Sequence, residues 1–240
     1  MTKRLLITLS IFALFASCTT RRTAVQVQNP ATFDEGVVIN GVRWATRNVG
    51  APGTFVQNPE DAGMFFQWNR LYGWRATLHY TDRETTCRRE AYAPTQRWNP
   101  AIGTNGGWEN ADWDSSLPIQ TAWYAENDPC PEGWRVPTYD ELDTLFELSW
   151  TDSEWTTLNG VKGRFFGTYP YQIFLPALGL RRMYDGMLHE DGNGVYWSST
   201  HNVATSAFHI IIFESEARGS GWHIGSSHQA GGRSVRCVSK

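Results

Sequence analysis

The sequence predicts an α+β domain of short strands, one short helix and long loops, stapled by a disulfide. Three observations predict it. Asn-Gly pairs (Asn40-Gly41, Asn159-Gly160) sit between runs of branched and aromatic residues, the signature of tight hairpins. Thr138 and Glu141 have capping-box spacing ahead of an apolar helical stripe. Cys130 and Cys237 are placed so that one bond would tie the middle of the chain to its end. Such a bond persists only in an oxidising compartment, and the N-terminus argues separately for export.

Residues 1–17 read as a secretory signal. Lys3 and Arg4 are its positive region, and Leu5 to Phe15 form an apolar stretch too short to span a bilayer. Ala16 and Ser17 then precede Cys18. That layout resembles a bacterial lipobox, with Phe15 where the motif usually has Leu. It implies a diacylated Cys18 that becomes the first mature residue and anchors the protein without a spanning helix. Residues 18–36 are polar and unpatterned and read as a flexible tether, and residues 37–240 as one domain with a sizeable core. The expected location is the cell envelope, lipid-anchored in the outer membrane. Thr19, Thr20, Arg21 and Arg22 are not acidic, so the periplasmic and surface-facing orientations both stay open.

Removing residues 1–17 leaves 19 Lys plus Arg of 21 against 24 Asp plus Glu, a mature net charge of −5. Arg pairs at 21–22, 88–89 and 181–182 are the longest basic runs, so no nucleic-acid partner is expected. With Cys18 lipidated and Cys130 joined to Cys237, Cys87 is left over, flanked by Arg83, Arg88 and Arg89. Neighbouring cations favour a thiolate, but no His or second cysteine adjoins it, so it reads as an unpaired loop thiol.

Val37-Val38-Ile39 and Val42-Arg43-Trp44 form the first hairpin around Asn40-Gly41. From Asn58 the chain could start a helix, yet Gly63 to Trp68 reads better as a strand after a turn. Residues 75–118, with charges, Gly, Asn and scattered Trp, are expected as a long loop region. Thr138 caps a helix whose Leu142, Leu145 and Phe146 fall on one face. Asn159-Gly160 before Val161 to Phe166 repeats the hairpin signal, and Tyr171 to Leu175, Val195 to Trp197, Phe208 to Phe213 and Ser234 to Val238 are further strands.

Asn127 to Thr138, containing Cys130-Pro131-Glu132-Gly133-Trp134-Arg135-Val136-Pro137, strongly resembles the Fibrobacter succinogenes major paralogous domain. Asn40 to Gly50, Phe174 to Gly179, Gly194 to Ser199 and Ser234 to Val238 match its other landmarks in order. The resemblance covers roughly residues 37–238. It implies a fold similar to C-type-lectin-like domains and formylglycine-generating enzymes: short mixed sheets, one or two helices and extensive ordered loops. It also implies a cell-envelope lipoprotein, sometimes encoded near fimbrial subunits.

Of the 12 tryptophans, Trp44, Trp68, Trp134 and Trp197 lie in predicted strands or beside the helix start and are expected in the core. Trp98, Trp108 and Trp113 lie instead among Asn99, Asn105, Glu109, Asn110, Asp112 and Asp114. An exposed indole packs on the apolar face of a pyranose while amides and carboxylates take its hydroxyls, so Trp98, Trp108, Trp113, Asn110, Asp112 and Asp114 are the candidate ligand-binding residues. The alternative is that these rings pin the long loop to the domain.

No metal or cofactor is expected. The Glu-Pro-Asn and Trp-Asn-Asp triplets of calcium-dependent lectins are missing, and Asp191-Gly192-Asn193-Gly194 reads as a turn. His79, His189, His201, His209, His223 and His228 form no tight ligand pair. No Gly-x-Ser-x-Gly elbow or phosphate loop occurs, Cys237 has no nearby cysteine, and Glu109, Asp112 and Asp114 as a carboxylate set discriminate nothing. An enzyme is therefore not expected. The expected role is non-catalytic binding or adhesion, with the membrane (through Cys18) and a surface glycan or a fimbrial or envelope protein as partners. The alternatives are a structural subunit of a surface assembly without a small ligand and, behind it, an enzyme with an unrecognised site.

Overall fold

The computed structural model describes residues 29–76, 96–103, 105–116, 119–145, 152–215 and 221–240. Cys18, the tether as far as residue 28, His79, Cys87 and Phe146 lie outside the described residues. The first hairpin joins β1 (Val37–Ile39) to β2 (Val42–Asn48). Asn40 and Gly41 have φ of 47° and 82°, the left-handed pair that a type I′ turn requires. Next, β3 (Met64–Phe66), β4 (Gly73–Arg75), β5 (Gln96–Asn99) and β6 (Gly107–Asn110) form an antiparallel sheet in that order.

A 3-10 turn over Ala125–Asn127 leads to β7 (Trp134–Arg135) and helix α1 (Tyr139–Asp143). One meander follows, of β8 (Ser153–Leu158), β9 (Val161–Thr168) and β10 (Tyr171–Pro176), turning at Asn159-Gly160. A short pair, β11 (Leu180–Arg181) and β12 (Leu188–His189), precedes a second meander of β13 (Gly194–His201), β14 (Ser206–Ile212) and β15 (Trp222–His228). Finally β16 (Arg236–Ser239) returns to the first sheet, whose order is β1-β2-β16-β7. The described chain is thus mostly strand with one short helix, and the α+β expectation holds in that form.

The Cys130–Cys237 disulfide is present, with Cα atoms 6.1 Å apart and 107 residues between them in sequence. Its neighbours Phe66, Trp134, Val136 and Val235 make a buried cluster around it. Asp128 closes the preceding loop by accepting from the Cys130 and Val136 amides at 2.9 and 3.1 Å. The capping box is complete: Glu141 N donates to Thr138 Oγ1, and Thr138 N donates to Glu141 Oε2. Arg135 clamps the same carboxylate with both Nη atoms, at 2.7 and 2.5 Å. Leu142 and Leu145 are buried as expected, joining Trp44, Phe166, Tyr196 and Val238 in the largest cluster. Trp44, Trp68, Trp134 and Trp197 are all buried.

The stretch 75–118 departs from the expected loop by supplying β5 and β6. Asn105-Gly106 lies at the end of the connection between them, with a positive φ at Gly106, but the register centres this hairpin on Gly103, so the pair is not a two-residue turn like the other two.

Small sheets leave many interior carbonyls without a ladder partner, and buried arginines take them. Arg236 donates to Ala45 O, Phe174 O and Asn48 Oδ1 at 3.2, 2.8 and 2.9 Å. Arg233 donates to Arg181 O and Gly232 O, and Arg181 to Gly186 O and Arg75 O. None of the three has an ion-pair partner among the described residues. Burial pushes each guanidinium down to about 10, still a cation at neutral pH. Two of these bonds, Arg236 to Phe174 O and Arg181 to Arg75 O, connect strands that no backbone ladder joins.

Candidate functional site

The β3-β4-β5-β6 sheet carries the candidate residues. Alternation sends Gln96 and Trp98 on β5, and Trp108 and Asn110 on β6, to one face, where Gln96 opposes Asn110 and Trp98 opposes Trp108. The two indoles meet edge to face with centroids 5.4 Å apart. Trp98 is half-buried and packs against the cluster around the disulfide. On the neighbouring strand Gly73 opposes Trp98, and a Cβ there would come within 3.0 Å of Met64 and Phe66, so the residue has to be small. Trp108, on the outer strand, is 37% exposed, and among the described tryptophans it alone is an exposed one.

Arg75 reaches across this face. Its guanidinium carbon lies 3.9 Å from the Trp108 ring centroid, a close stack. Asn110 is exposed at the end of β6 beside this pair, and Asp112 is exposed just beyond it.

The opposite face is closed. Trp113 is 8% exposed, donates Nε1–H to Met183 O at 3.0 Å, and packs on Trp74 with centroids 5.4 Å apart. Asp114 is engaged locally: its Oδ1 accepts from Ser116 N and Oγ, and its carbonyl accepts from Gln67 Nε2 at 2.6 Å. Asn99 and Glu109 also point this way. Glu109 accepts from Asn99 Nδ2 at 2.9 Å and from Arg97 Nε at 2.5 Å, and these bonds hold its carboxyl below the usual range. Arg97 in turn lies over the Tyr72 ring at 4.3 Å.

The structure therefore brings together Trp98, Trp108 and Asn110, leaves Asp112 beside them, and turns Trp113 and Asp114 into support for the sheet. Arg75 was missed by reading the sequence, because its place on Trp108 depends on the β4–β5 pairing. The sequence signal was the two indoles in one stretch; their facing register, Trp98 against Trp108, is set by a longer connection centred on Gly103 that no turn motif marks.

A second polar cluster lies between β14 and β15. His209 is 8% exposed, its Nδ1 is 3.3 Å from Ser227 Oγ, and its ring meets Trp197 edge to face at 6.0 Å. Arg233 Nη2 donates to the same Ser227 Oγ at 3.1 Å. Opposite His209 stands Gly225, where a Cβ would sit 3.2 Å from Nε2. Burial first, then the nearby Arg233 and His223, push the His209 imidazolium down to about 3. At neutral pH the ring is uncharged and bridges through Ser227 to the buried Arg233 guanidinium.

Among the described residues no group of three or more His, Cys, Asp and Glu is arranged to hold a metal ion, and no helix is long and apolar enough to cross a membrane. Compared with known protein families, with curated proteins and with solved structures, the chain matches none.

Proposed function

We propose that this protein is a lipid-anchored domain of the bacterial cell envelope, C-type-lectin-like in kind, with a non-catalytic binding or adhesion role. Its ligand is a surface glycan, contacted through Trp108 with Trp98 behind it. Attachment through Cys18 would hold the domain at the outer membrane, where such contact serves a fimbrial or other surface assembly. The observation that carries this reading is the half-open indole of Trp108 on an outer strand, with the Asn110 carboxamide on the same face. A singly exposed ring is ordinary, so the reading is supported by the combination of this indole, the stacked Arg75 and the Asn110 carboxamide on one face. Stacking of a pyranose on the indole, with hydroxyls bonded by the neighbouring amide, is the chemistry such a surface supports.

A glycan array with the mature protein and its Trp108→Ala variant tests this. Binding to a defined set of glycans, lost in the variant while its melting temperature falls by no more than a few degrees, is the expected result. If no glycan binds while envelope proteins co-purify, the domain is a structural subunit and the glycan reading is wrong. Mass spectrometry of the membrane fraction checks the anchor: a free thiol at Cys18 rules it out.

A further inference from the structure

Arg75 differs from its neighbours in how little holds it. Every other described arginine makes at least one side-chain hydrogen bond or ion pair. The Arg75 guanidinium makes none among the described residues; its contact is the stack on Trp108. Its Nε is buried without a hydrogen-bond partner, and so is Oε1 of Gln96, which the strand register places on the same face. An arginine carries five N–H donors in a planar fork matched to a carboxylate, and stacking engages the face of that fork while leaving its edge unused. The two Nη atoms are not buried and have no partner among the described residues, so they are the donors open to a ligand.

We infer that Arg75 and Trp108 form a subsite for an acidic sugar, so that the ligand is a glycan bearing carboxylates. The sugar ring lies against the open part of the Trp108 indole, and its carboxylate takes the Nη1–Nη2 end of Arg75. Asn110 serves a ring hydroxyl. No bond is made or broken. This deepens the proposed function, since it names the ligand class of the same face. It also accounts for a cation at this spot on a chain whose mature net charge is −5: a general positive field is absent, so recognition of an anion has to be local.

The test uses the full mature protein with three probes: a galacturonate oligosaccharide, its methyl ester, and a neutral galactose oligosaccharide, by calorimetry. The expected result is a preference of about ten-fold or more for the free acid over its ester, as a charge-assisted bidentate contact provides. That preference should shrink as salt is raised. Arg75→Gln should bring the acid-to-ester ratio close to one, and Arg75→Lys should retain part of it, whatever happens to absolute affinity. If acid and ester bind alike in the unaltered protein, or if Arg75→Gln leaves the ratio intact, the acidic-sugar assignment is overturned. Neutral glycan bound in a Trp108-dependent way, with no acid preference, overturns this assignment while keeping the proposed function. Binding of no carbohydrate at all overturns both.

Discussion

Mild acid should destabilise this domain through one buried histidine. In the folded chain His209 stays neutral down to about pH 3, whereas unfolded it takes a proton near the usual 6.5. Between those values the unfolded state holds a proton that the native state does not, so stability rises with pH across the window. Its contribution is fully present above 6.5 and is lost progressively as pH falls toward 3. The linkage relation puts the loss at about 2 kcal/mol by pH 5 and about 3 kcal/mol by pH 4. Desolvation is the main cause, and the charge that stands behind the ring is Arg233, joined to it through Ser227. Glu109 and Glu141, held below the normal carboxylate range, lose their contributions only at lower pH, whereas burial raises the Asp128 carboxyl, so the comparison with a variant that keeps Asp128 isolates the histidine. The assay is urea unfolding at pH 7 and pH 5 for the unaltered protein and for His209→Asn, which keeps an acceptor near Ser227. The variant starts less stable, because it gives up packing on Trp197, but should lose about 2 kcal/mol less on going to pH 5. Equal losses in the two proteins would show that His209 titrates normally and that the account of its burial is wrong.

Replacing both Cys130 and Cys237 with Ala should cost about 5 kcal/mol in chemical denaturation, the closure entropy of a loop spanning 107 residues. A loss below about 1 kcal/mol would mean that the unfolded chain was never constrained by the bond. Trp113→Ala should cost about 3–5 kcal/mol for a buried indole, whereas Trp108→Ala should cost about 1 kcal/mol or less, mainly its contact with Arg75. Equal shifts in melting temperature would contradict the opposite placement of the two rings. Thr138→Ala should remove about 1 kcal/mol by opening the cap of α1, measurable by the same unfolding assay, and Thr138→Ser should restore most of it.

Much of this architecture is visible to local rules. Asn40-Gly41 and Asn159-Gly160 specify their turns because few other pairs tolerate two positive φ angles in succession. Thr138 and Glu141 are three residues apart, so their cap needs nothing from the rest of the chain. Strand β15 was harder: Trp222, His223, Ile224, Gly225, Ser226, Ser227 and His228 show no clean alternation, because one of its faces covers the polar group formed by His209 and Arg233. The candidate site was half legible. Trp108 and Trp113 sit among similar residues in sequence, yet one is open and the other closed. What separates them is a carbonyl at Met183, 70 residues from Trp113, and a sheet edge created by pairing β6 with β5 alone. That Arg75 has no hydrogen-bond partner among the described residues is likewise a property of the three-dimensional arrangement.

In the first sheet the last described strand lies in the middle. β16 fits between β2 and β7, and Arg236 bonds Asn48 across 188 residues of chain. One edge of the opening hairpin is thus closed by a strand far along the sequence, and contacts of such long range form slowly. If the chain is exported as proposed, that slow closure would keep it pliable while it crosses a membrane.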